Sequence, residues 1–438
     1  MAHIWFTPEP LDIKFEYLCY NTDSDRHGKD NQCTALHPHL THITFGNLYN
    51  QPTILSQNIE YASFGSSFNS SLIMNNNIKM LMLGYDFNQP LDLPTSLKIL
   101  EFGHSYNQPT ILPPEITHVK FGTKFNQLVD FPSTITHLTL NKCIPIPPHV
   151  KYLKLINDDN CLLDVGYLPA SIEHLVFGHY YNQKLVPGIL PPHLVNLEFG
   201  GGYNHEIDDD ILPHTIKTLK FGNYNHRIGP KTIPPNVVHL TFGGNFNQKI
   251  KYLPPKLKYL SFGMGFNQKI KCLPMSILHL MFGTCFNRQI TLPPHITHVY
   301  FGSDYNQPTI LPPSISNVRF GSKFNQHVEL PKHIRRVSFG KNFDFPVELP
   351  NSIIDISING GYRWPLILPP YLQKFYAFEN FDGPVDNIKT RRRIHHLLSD
   401  KYYLVECPMP LESENVDRNI HNIKYKEQSL LYYVIKYN

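Results

Sequence analysis

Residues 262–283, FGMGFNQKIKCLPMSILHLMFG, contain one full period of a repeat. The segment begins and ends on the same Phe-Gly pair. Between the two pairs lie an aromatic-Asn-Gln triplet, an isoleucine, a Leu-Pro step and an Ile-x-x-Leu-x-Phe run. Nearly all of the chain repeats this unit. Self-similarity at a short period predicts an array of stacked coils that share one continuous core.

The repeated Phe position sets the period. It occurs first at Phe45 and recurs every 19–22 residues, except in an irregular stretch at residues 140–176 where leucines replace the Phe. Ile358 and Ala377 continue the spacing at the end of the array. The pattern predicts about 18 coils over residues 40–384. Residues 1–39 and 385–438 lack it, and we expect them to cap the two ends, the second being partly helical.

The segment LPPKLKYLSFG shows why the unit forms a strand. Leu257, Leu260 and Phe262 are spaced so that the last two point to one side of a strand, while Tyr259 and Ser261 point to the other. A strand this short is not stable alone. Stacked on identical neighbours about 4.8 Å apart, it becomes one rung of a parallel sheet. Each buried Leu or Phe then contributes roughly 1.5–3 kcal/mol.

The residues after the strand predict a bend. Gly263 follows the strand where the chain turns, and we expect it to adopt a positive φ, which glycine enters without steric cost. Phe266 is expected to fill the core at the corner. The amide of Asn267 is expected to bond backbone groups of adjacent coils. Leu273 and Pro274 lead to the next strand, and the proline belongs outside the sheet because it has no N–H.

The composition fits a folded protein without a strong charge. The chain has 438 residues, of which 41% are hydrophobic and 17% are charged, and its net charge is +4 with histidine neutral. A nucleic-acid binder normally carries a strong, clustered positive charge. We therefore do not expect nucleic acid as the partner.

The cysteines and the N-terminal sequence bear on the compartment. The seven cysteines include no CxxC pair, so a disulfide framework or zinc module is not expected and a reducing compartment is favoured. MAHIWFTPEP lacks the basic and apolar regions of a secretory signal, and no run of about 18 apolar residues occurs. These features predict a cytoplasmic protein with no membrane span and no cofactor.

The order of the repeat also carries a family resemblance. Phe-Gly, two residues, Phe-Asn-Gln, Ile, Leu-Pro and Leu-x-x-Leu-x-Phe-Gly resembles the FNIP repeat over roughly residues 40–380. FNIP repeats are similar to a short branch of the leucine-rich repeat, and they are abundant in social amoebae and in large DNA viruses that infect amoebae. The resemblance implies a mainly β, leucine-rich-repeat-like solenoid with a parallel sheet on one face and a role in protein–protein contact. For a viral protein it implies the host-cell cytoplasm.

The resemblance also implies an alternative function. Some FNIP proteins carry an N-terminal F-box, which makes them substrate-recognition subunits of ubiquitin ligases. Residues 1–36 are short for such a domain and poor in its Leu-Pro-x-Glu type of opening.

Histidine recurs at one outward position, three residues before the repeated Phe. Stacking would place consecutive histidines about 5 Å apart. Such a ladder is compatible with metal binding, with a response to pH, or with plain sheet surface. The same position also holds Tyr, Asn, Thr, Ile and Arg, and no acid recurs beside it to complete a metal site, which favours plain surface or partner contact. The seven histidines are His42, His118, His137, His174, His239, His279 and His298.

The residue directly before the repeated Phe also faces outward, and its chemistry varies from coil to coil. The core positions keep one chemistry, so packing fixes them while the outward positions are free to bind a partner. We therefore predict a non-enzymatic, monomeric scaffold that binds a protein on its sheet face. The candidate contact residues are His239, Thr241, Tyr259, Ser261, His279, Met281, His298, Tyr300, Asn317 and Arg319.

Three other features favour structural roles. The Asn-Gln pairs recur at the bend in coil after coil, which indicates an amide ladder rather than base reading. The basic run at residues 391–396 is typical of a solvated helix end, with phosphate contact or a localisation signal as the alternative. Polysaccharide-cleaving β-solenoids need clustered carboxylates on one face, whereas the outward positions here carry only scattered ones.

Overall fold

The structure, a computed structural model, covers most of the repeat region and three short strands beyond it. The described residues are 18–20, 40–141, 144–156, 163–359, 362–378, 402–403 and 435–436. They form strands and turns and contain no helix, hence no helix of the length and hydrophobicity that a membrane span requires. The chain divides into two compact units, residues 15–277 and residues 278–438 together with 1–14.

The unit at residues 15–277 is built on short parallel strands. Its described strands are β1 (Leu18–Tyr20), β2 (His42–Phe45), β3 (Thr53–Ile54), β4 (Tyr61–Ser63), β5 (Leu72–Ile73), β6 (Met80–Met82), β7 (Ile99–Glu101), β8 (His118–Lys120), β9 (His137–Leu140), β10 (Tyr152–Leu155), β11 (His174–Phe177), β12 (Asn196–Glu198), β13 (Thr218–Lys220), β14 (His239–Thr241) and β15 (Tyr259–Ser261). β3 pairs in parallel with β5. The other strands form one sheet in chain order, so each coil adds one strand.

The unit at residues 278–438 repeats the same arrangement. Its described strands are β16 (His279–Met281), β17 (His298–Tyr300), β18 (Asn317–Arg319), β19 (Arg336–Ser338), β20 (Asp355–Asn359), β21 (Lys374–Phe378), β22 (Tyr402–Tyr403) and β23 (Ile435–Lys436). β16 to β21 are parallel and paired in chain order. β22 and β23 form a separate antiparallel pair. The parallel sheet predicted from the repeat is therefore confirmed in both units.

The predicted caps fall largely outside the described residues. Within residues 1–39 the structure describes β1, which pairs in parallel with β2. Within residues 385–438 it describes β22 and β23. The basic run at residues 391–396, for which we predicted a short helix, lies outside the described residues. The caps remain predictions.

The strands alternate as the sequence predicts. In β15 the middle residue Leu260 is fully buried, while Tyr259 and Ser261 on either side are half-buried on the outer face. Leu257 before the strand and Phe262 after it are also buried. The same half-buried, buried, half-buried pattern recurs in β8, β12, β13, β14 and β17, so one side of these strands faces the core.

Two columns of aromatic rings fill the core behind the sheet. The repeated Phe rings stack coil on coil, with centroids 5.5 Å apart between Phe242 and Phe262. The ring of the aromatic-Asn-Gln triplet forms a second column, 6.0 Å apart between Phe246 and Phe266. Within a coil the two columns also stack, at 4.0 Å between Phe262 and Phe266. Stacked pairs add roughly 0.5–1.5 kcal/mol each beyond the burial of apolar area.

The glycine that follows the repeated Phe is required for a different reason from the one predicted. We expected a positive φ at Gly263, but among the described residues only Gly166, Gly188 and Asp210 have positive φ. A Cβ at Gly263 would instead lie 2.2 Å from the carbonyl oxygen of Gly243 in the preceding coil. The glycine is needed because consecutive backbones approach too closely for any side chain.

Asparagine ladders join the coils at the bend, as predicted. The Oδ1 atom of Asn247 accepts the backbone N–H of Asn267 at 2.9 Å, and also the side-chain amide of Gln268 at 3.2 Å. The same bond links Asn107 to the backbone of Asn126 at 3.0 Å. Each asparagine therefore satisfies a donor of the next coil that the bend leaves without a sheet partner. We refer to the glycine, ring and asparagine positions together as the bend column.

Candidate partner-binding face

The outward positions three and one residues before the repeated Phe form the sheet face of each unit. In the unit at residues 15–277, the predicted candidates lie on the last two strands. His239 pairs in register with Tyr259, and Thr241 with Ser261. The two rings meet edge to face, with centroids 4.2 Å apart. All four side chains are half-buried, so they present atoms to solvent while resting on the sheet.

In the unit at residues 278–438, the remaining six candidates lie on three successive strands. His279, His298 and Asn317 form one row, and Met281, Tyr300 and Arg319 form the second. Met281 is only 2% exposed and Asn317 only 8% exposed. Neither offers much surface to a partner. His279, His298, Tyr300 and Arg319 are half-buried.

Threonines orient several histidines of the sheet face. Thr117 Oγ1 lies 2.8 Å from the Nδ1 of His118 and donates its hydrogen to the carbonyl of Lys98 at 3.1 Å. Because that hydrogen is used, the threonine oxygen accepts the Nδ1–H of the ring. The second ring nitrogen is then the basic one. Thr297 and His298 repeat this contact at 2.9 Å.

The histidines stack in pairs, and this arrangement disfavours their charged forms. The rings of His118 and His137 lie 3.9 Å apart, and those of His279 and His298 lie 4.1 Å apart. Burial lowers the pKa of His137 to about 4, helped by the charges of His118 and His174. Burial also lowers the pKa of His298 to about 4, helped by His279 and Arg336. The rings of His137 and His298 are therefore neutral at pH 7.

Ion pairs cross the sheet face of the unit at residues 15–277. The carboxylate of Glu101 lies 3.2 Å from the Nζ of Lys120 on the next strand. Glu198 and Lys220 repeat the pair at 2.6 Å. Each of these two carboxylates is therefore paired with a lysine, and the two ion pairs lie in coils that are far apart in the sequence.

The candidate contact set predicted from sequence ends at Arg319 and does not include the cations that follow it. Arg336 on β19 and Lys374 on β21 occupy the same outward position as the histidines, and Asp355 on β20 lies between them in register. Arg336 is exposed. The signal is present in the sequence, since these residues stand three before the repeated Phe position, as the histidines do.

No metal centre is evident in the part of the chain that the structure describes. There, no three side chains of the metal-binding types His, Cys, Asp and Glu come together. The stacked histidines have parallel rings, which do not direct two nitrogens at one ion.

The repeat itself matches a known family. A profile of the FNIP repeat matches residues 68–105, 106–143, 160–202, 181–224, 224–265, 266–304 and 305–342, more than half of the chain. The chain belongs to the FNIP repeat family. Its coils, with glycine, ring and asparagine at the bend and Leu-x-Phe on the strand, are therefore FNIP repeats in a leucine-rich-repeat-like solenoid.

The solved structure of CroV588 agrees with this fold. CroV588, a giant-virus protein described as a novel circular leucine-rich repeat protein, is 30% identical to this FNIP protein, with a TM-score of 0.64. The match covers 80% of this chain and 64% of that one, so the chain spans less than two thirds of CroV588. YopM from Yersinia enterocolitica is 16% identical over 77% of this chain and 91% of that chain, with a TM-score of 0.37. No curated protein matches the sequence.

Proposed function

We propose that this FNIP protein is an interaction scaffold that binds a partner protein on its sheet face. A leucine-rich-repeat-like solenoid is an architecture typical of protein–protein interaction. The observation that carries the proposal is the contrast between the two sides of each strand. Inward positions repeat Leu and Phe, whereas outward positions vary among ring, hydroxyl, amide, charged and apolar side chains along the sheet.

Part of the predicted contact set supports this surface better than the rest. His239, Tyr259, His298 and Tyr300 are ring side chains that are half-buried and held in register by the sheet. Preordered rings lose little conformational entropy on binding, and aromatic residues are enriched in protein interfaces. Met281 is almost fully covered, so we assign it to packing within the sheet face rather than to contact with the partner.

The enzyme alternative lacks support at these positions. Hydrolysis of a glycosidic bond uses two carboxylates about 5–10 Å apart. Among the described sheet-face residues the acids are Glu101, Glu198 and Asp355, which stand in separate coils. The first two are paired with lysines. This arrangement favours a binding surface.

A quantitative pull-down from an amoebal lysate with the full chain tests the proposal. The test variant carries His239→Ala, Tyr259→Ala and Tyr300→Ala. We expect it to lose the proteins that the unchanged chain retains. The matched control changes exposed residues off the sheet face, Tyr252→Ala, Ile310→Ala and Tyr371→Ala. Equal retention by both variants would show that the sheet face is not the binding surface.

The ubiquitin-ligase alternative depends on residues 1–39, of which the structure describes only β1. The same pull-down examines it, because a substrate receptor would retain an adaptor of the Skp1 type. Deletion of residues 1–17 should then release the adaptor and leave the sheet-face partners bound.

A further inference from the structure

The sheet face of the unit at residues 278–438 carries an excess of positive charge. Arg319, Arg336 and Lys374 occupy outward positions on β18, β19 and β21, and Arg335 stands exposed at the start of β19. Among the described sheet-face positions of this unit, Asp355 is the one acid. At these positions three cations and one anion leave a local charge of +2, and Arg335 adds a fourth cation beside them. We call these four cationic residues the arginine patch.

Several cations elsewhere in the described part of the chain have an acidic partner in a neighbouring coil. On the bend of the same unit, Lys323 lies 2.8 Å from a carboxylate oxygen of Asp304, and Arg363 pairs with Asp344. On the sheet face of the other unit, Lys120 and Lys220 each meet a glutamate. The sheet face of that unit carries three lysines and two glutamates over twelve strands, whereas three cations and one acid share the six strands β16 to β21, so positive charge is denser at the arginine patch.

The register of the strands sets the spacing of the patch. Arg319 stands opposite Ser338, and Arg336 stands opposite Asp355, which in turn stands opposite Lys374. Neighbouring strands lie about 4.8 Å apart. Arg319 and Arg336 are thus diagonal neighbours on adjacent strands, roughly 7 Å apart at their Cβ atoms. Alternate side chains of an extended peptide have a similar spacing, because each residue advances the chain by about 3.4 Å.

The side-chain chemistry of the patch suits carboxylates. Its sheet-face cations are mainly arginines, whereas those of the other unit are Lys120, Lys154 and Lys220. A guanidinium offers a planar fork that binds a carboxylate through two parallel hydrogen bonds, and it loses less hydration than an ammonium. Ser338 and Ser357 stand beside the arginines on the same face and offer hydroxyl donors. Arg336 also helps to lower the pKa of His298, which places its positive charge close to that ring.

We propose that the arginine patch binds an acidic segment of a partner protein, held extended so that successive carboxylates meet Arg319 and Arg336. This inference rests on the proposed scaffold function, since it names the chemistry of the partner that the sheet face takes. Nucleic acid fits the patch less well, because such partners are met by many clustered cations and the whole chain carries only +4.

Fluorescence anisotropy with the full chain tests the proposal directly. The probe is a fluorescein-labelled nonapeptide that alternates glutamate and serine, and the matched probe has glutamine in place of glutamate. The test variant is Arg319→Gln with Arg336→Gln. The control variant, Lys332→Gln with Lys341→Gln, removes the same charge from exposed lysines that lie off the sheet face.

We expect the glutamate probe to bind the unchanged chain and the control variant alike. The test variant should bind it about tenfold more weakly, and the affinity should fall as salt is added. The glutamine probe should not bind. An equal loss in both variants would mean general attraction to a basic protein and would overturn the proposal. Tighter binding of an oligothymidylate of equal charge, lost in the test variant, would overturn it in favour of nucleic acid.

The outcome separates this inference from the proposed function. If the glutamate probe binds the Arg319→Gln, Arg336→Gln variant as tightly as the unchanged chain, while the His239, Tyr259 and Tyr300 alanine variant still loses its partners, the scaffold function stands and the acidic partner is wrong. If the ring variant retains every partner, the sheet-face function fails whatever the peptide does.

Discussion

The bend column and the sheet face pass through the same coils, yet only the bend column repeats its chemistry. At the bend, the next coil lies directly against each glycine, ring and asparagine, so a change in one coil meets the neighbouring coil at once. On the sheet face, side chains point outward, and pairs of different chemistry, such as two histidines or a glutamate and a lysine, make the contact between adjacent coils. Contact between coils, rather than function, therefore decides which positions of this repeat are constant.

Two adjacent glycines give the sharpest test of that comparison. A Cβ at Gly243 would lie 1.6 Å from the carbonyl oxygen of Gly222, whereas a Cβ at Gly244 would have its nearest contact at 3.8 Å, with the end of Met264. We expect Gly243→Ala to cost on the order of 5 kcal/mol or to prevent folding, because the obstacle is backbone that cannot move aside. Urea unfolding followed by circular dichroism measures the loss.

Gly244→Ala is the matched control. Neither glycine has a positive φ, so alanine meets no conformational penalty at either site. We expect Gly244→Ala to be neutral or to stabilise by up to about 1 kcal/mol, since it restricts the unfolded chain. Similar losses in the two variants would mean that the close approach of the backbones is not what requires glycine.

The two sides of one strand provide the next contrast. Phe262 is 1% exposed and stacks on Phe242 and Phe266, so Phe262→Ala should lower the free energy of unfolding by about 3–5 kcal/mol. Tyr259 is half-buried on the sheet face, and Tyr259→Ala should cost less than about 1 kcal/mol. The same urea experiment compares them. Equal losses would contradict the assignment of the two strand faces.

Much of this architecture could be predicted from the sequence, because the repeat shows each structural position many times. The spacing of Leu260 and Phe262 predicts the buried side, and the recurrence of Asn267 at the bend predicts the amide ladder. The reason for Gly263 could not be read in the same way. A single coil suggests a turn, and only the stacked coils show the carbonyl of Gly243 where a side chain would be.

The candidate site was less predictable than the fold. The sequence indicates that the position of Met281 faces outward, but its burial depends on how neighbouring side chains lie across it. The excess charge at Arg336 and Lys374 depends on which residues share a strand register. Each of these properties belongs to several coils together, so a single repeat does not reveal it.

The stacked histidines make the sheet face sensitive to acid in a way that the bend column is not. The pKa of His137 and of His298 is lowered to about 4, against an ordinary value of 6.5. The unfolded chain therefore takes up a proton first, and stability falls as the pH drops from about 6.5 to about 4. The rings are half exposed and water screens their charge, so we expect a loss on the order of 1 kcal/mol per ring.

A double variant isolates the histidine contribution from that of the carboxylates, which also titrate near pH 4. Tyrosine occupies the same position at Tyr152 and Tyr259, so His137→Tyr with His298→Tyr keeps a ring on the sheet. Urea midpoints measured from pH 7 to pH 4.5 should fall less steeply in this variant. An unchanged slope would show that the stacked rings are not the groups responsible.

The bend column differs in one respect between coils of 19 residues, which we call regular, and coils of 22 residues, which we call lengthened. In the regular coils a tyrosine at the ring position is followed four residues later by threonine: Tyr106 Oη lies 2.7 Å from Thr110 Oγ1, and Tyr305 Oη lies 2.7 Å from Thr309 Oγ1. Each threonine passes its own hydrogen to a backbone carbonyl, so it accepts that of the tyrosine. In the lengthened coils the residue after Tyr181 at the same distance is Leu185.

Replacing the tyrosine at the ring position by phenylalanine should change the free energy of unfolding differently in these two kinds of coil. Tyr106→Phe should cost about 1 kcal/mol, because it removes the donor to a buried threonine. The hydroxyl of Tyr181 is buried with no hydrogen-bond partner among the described residues, and burial raises its pKa. Tyr181→Phe should therefore be neutral or slightly stabilising, since it relieves an uncompensated polar group. If urea midpoints fall equally in both variants, the hydroxyl of Tyr181 has a partner in solution, and the lengthened coils enclose a polar contact that the regular coils supply through threonine.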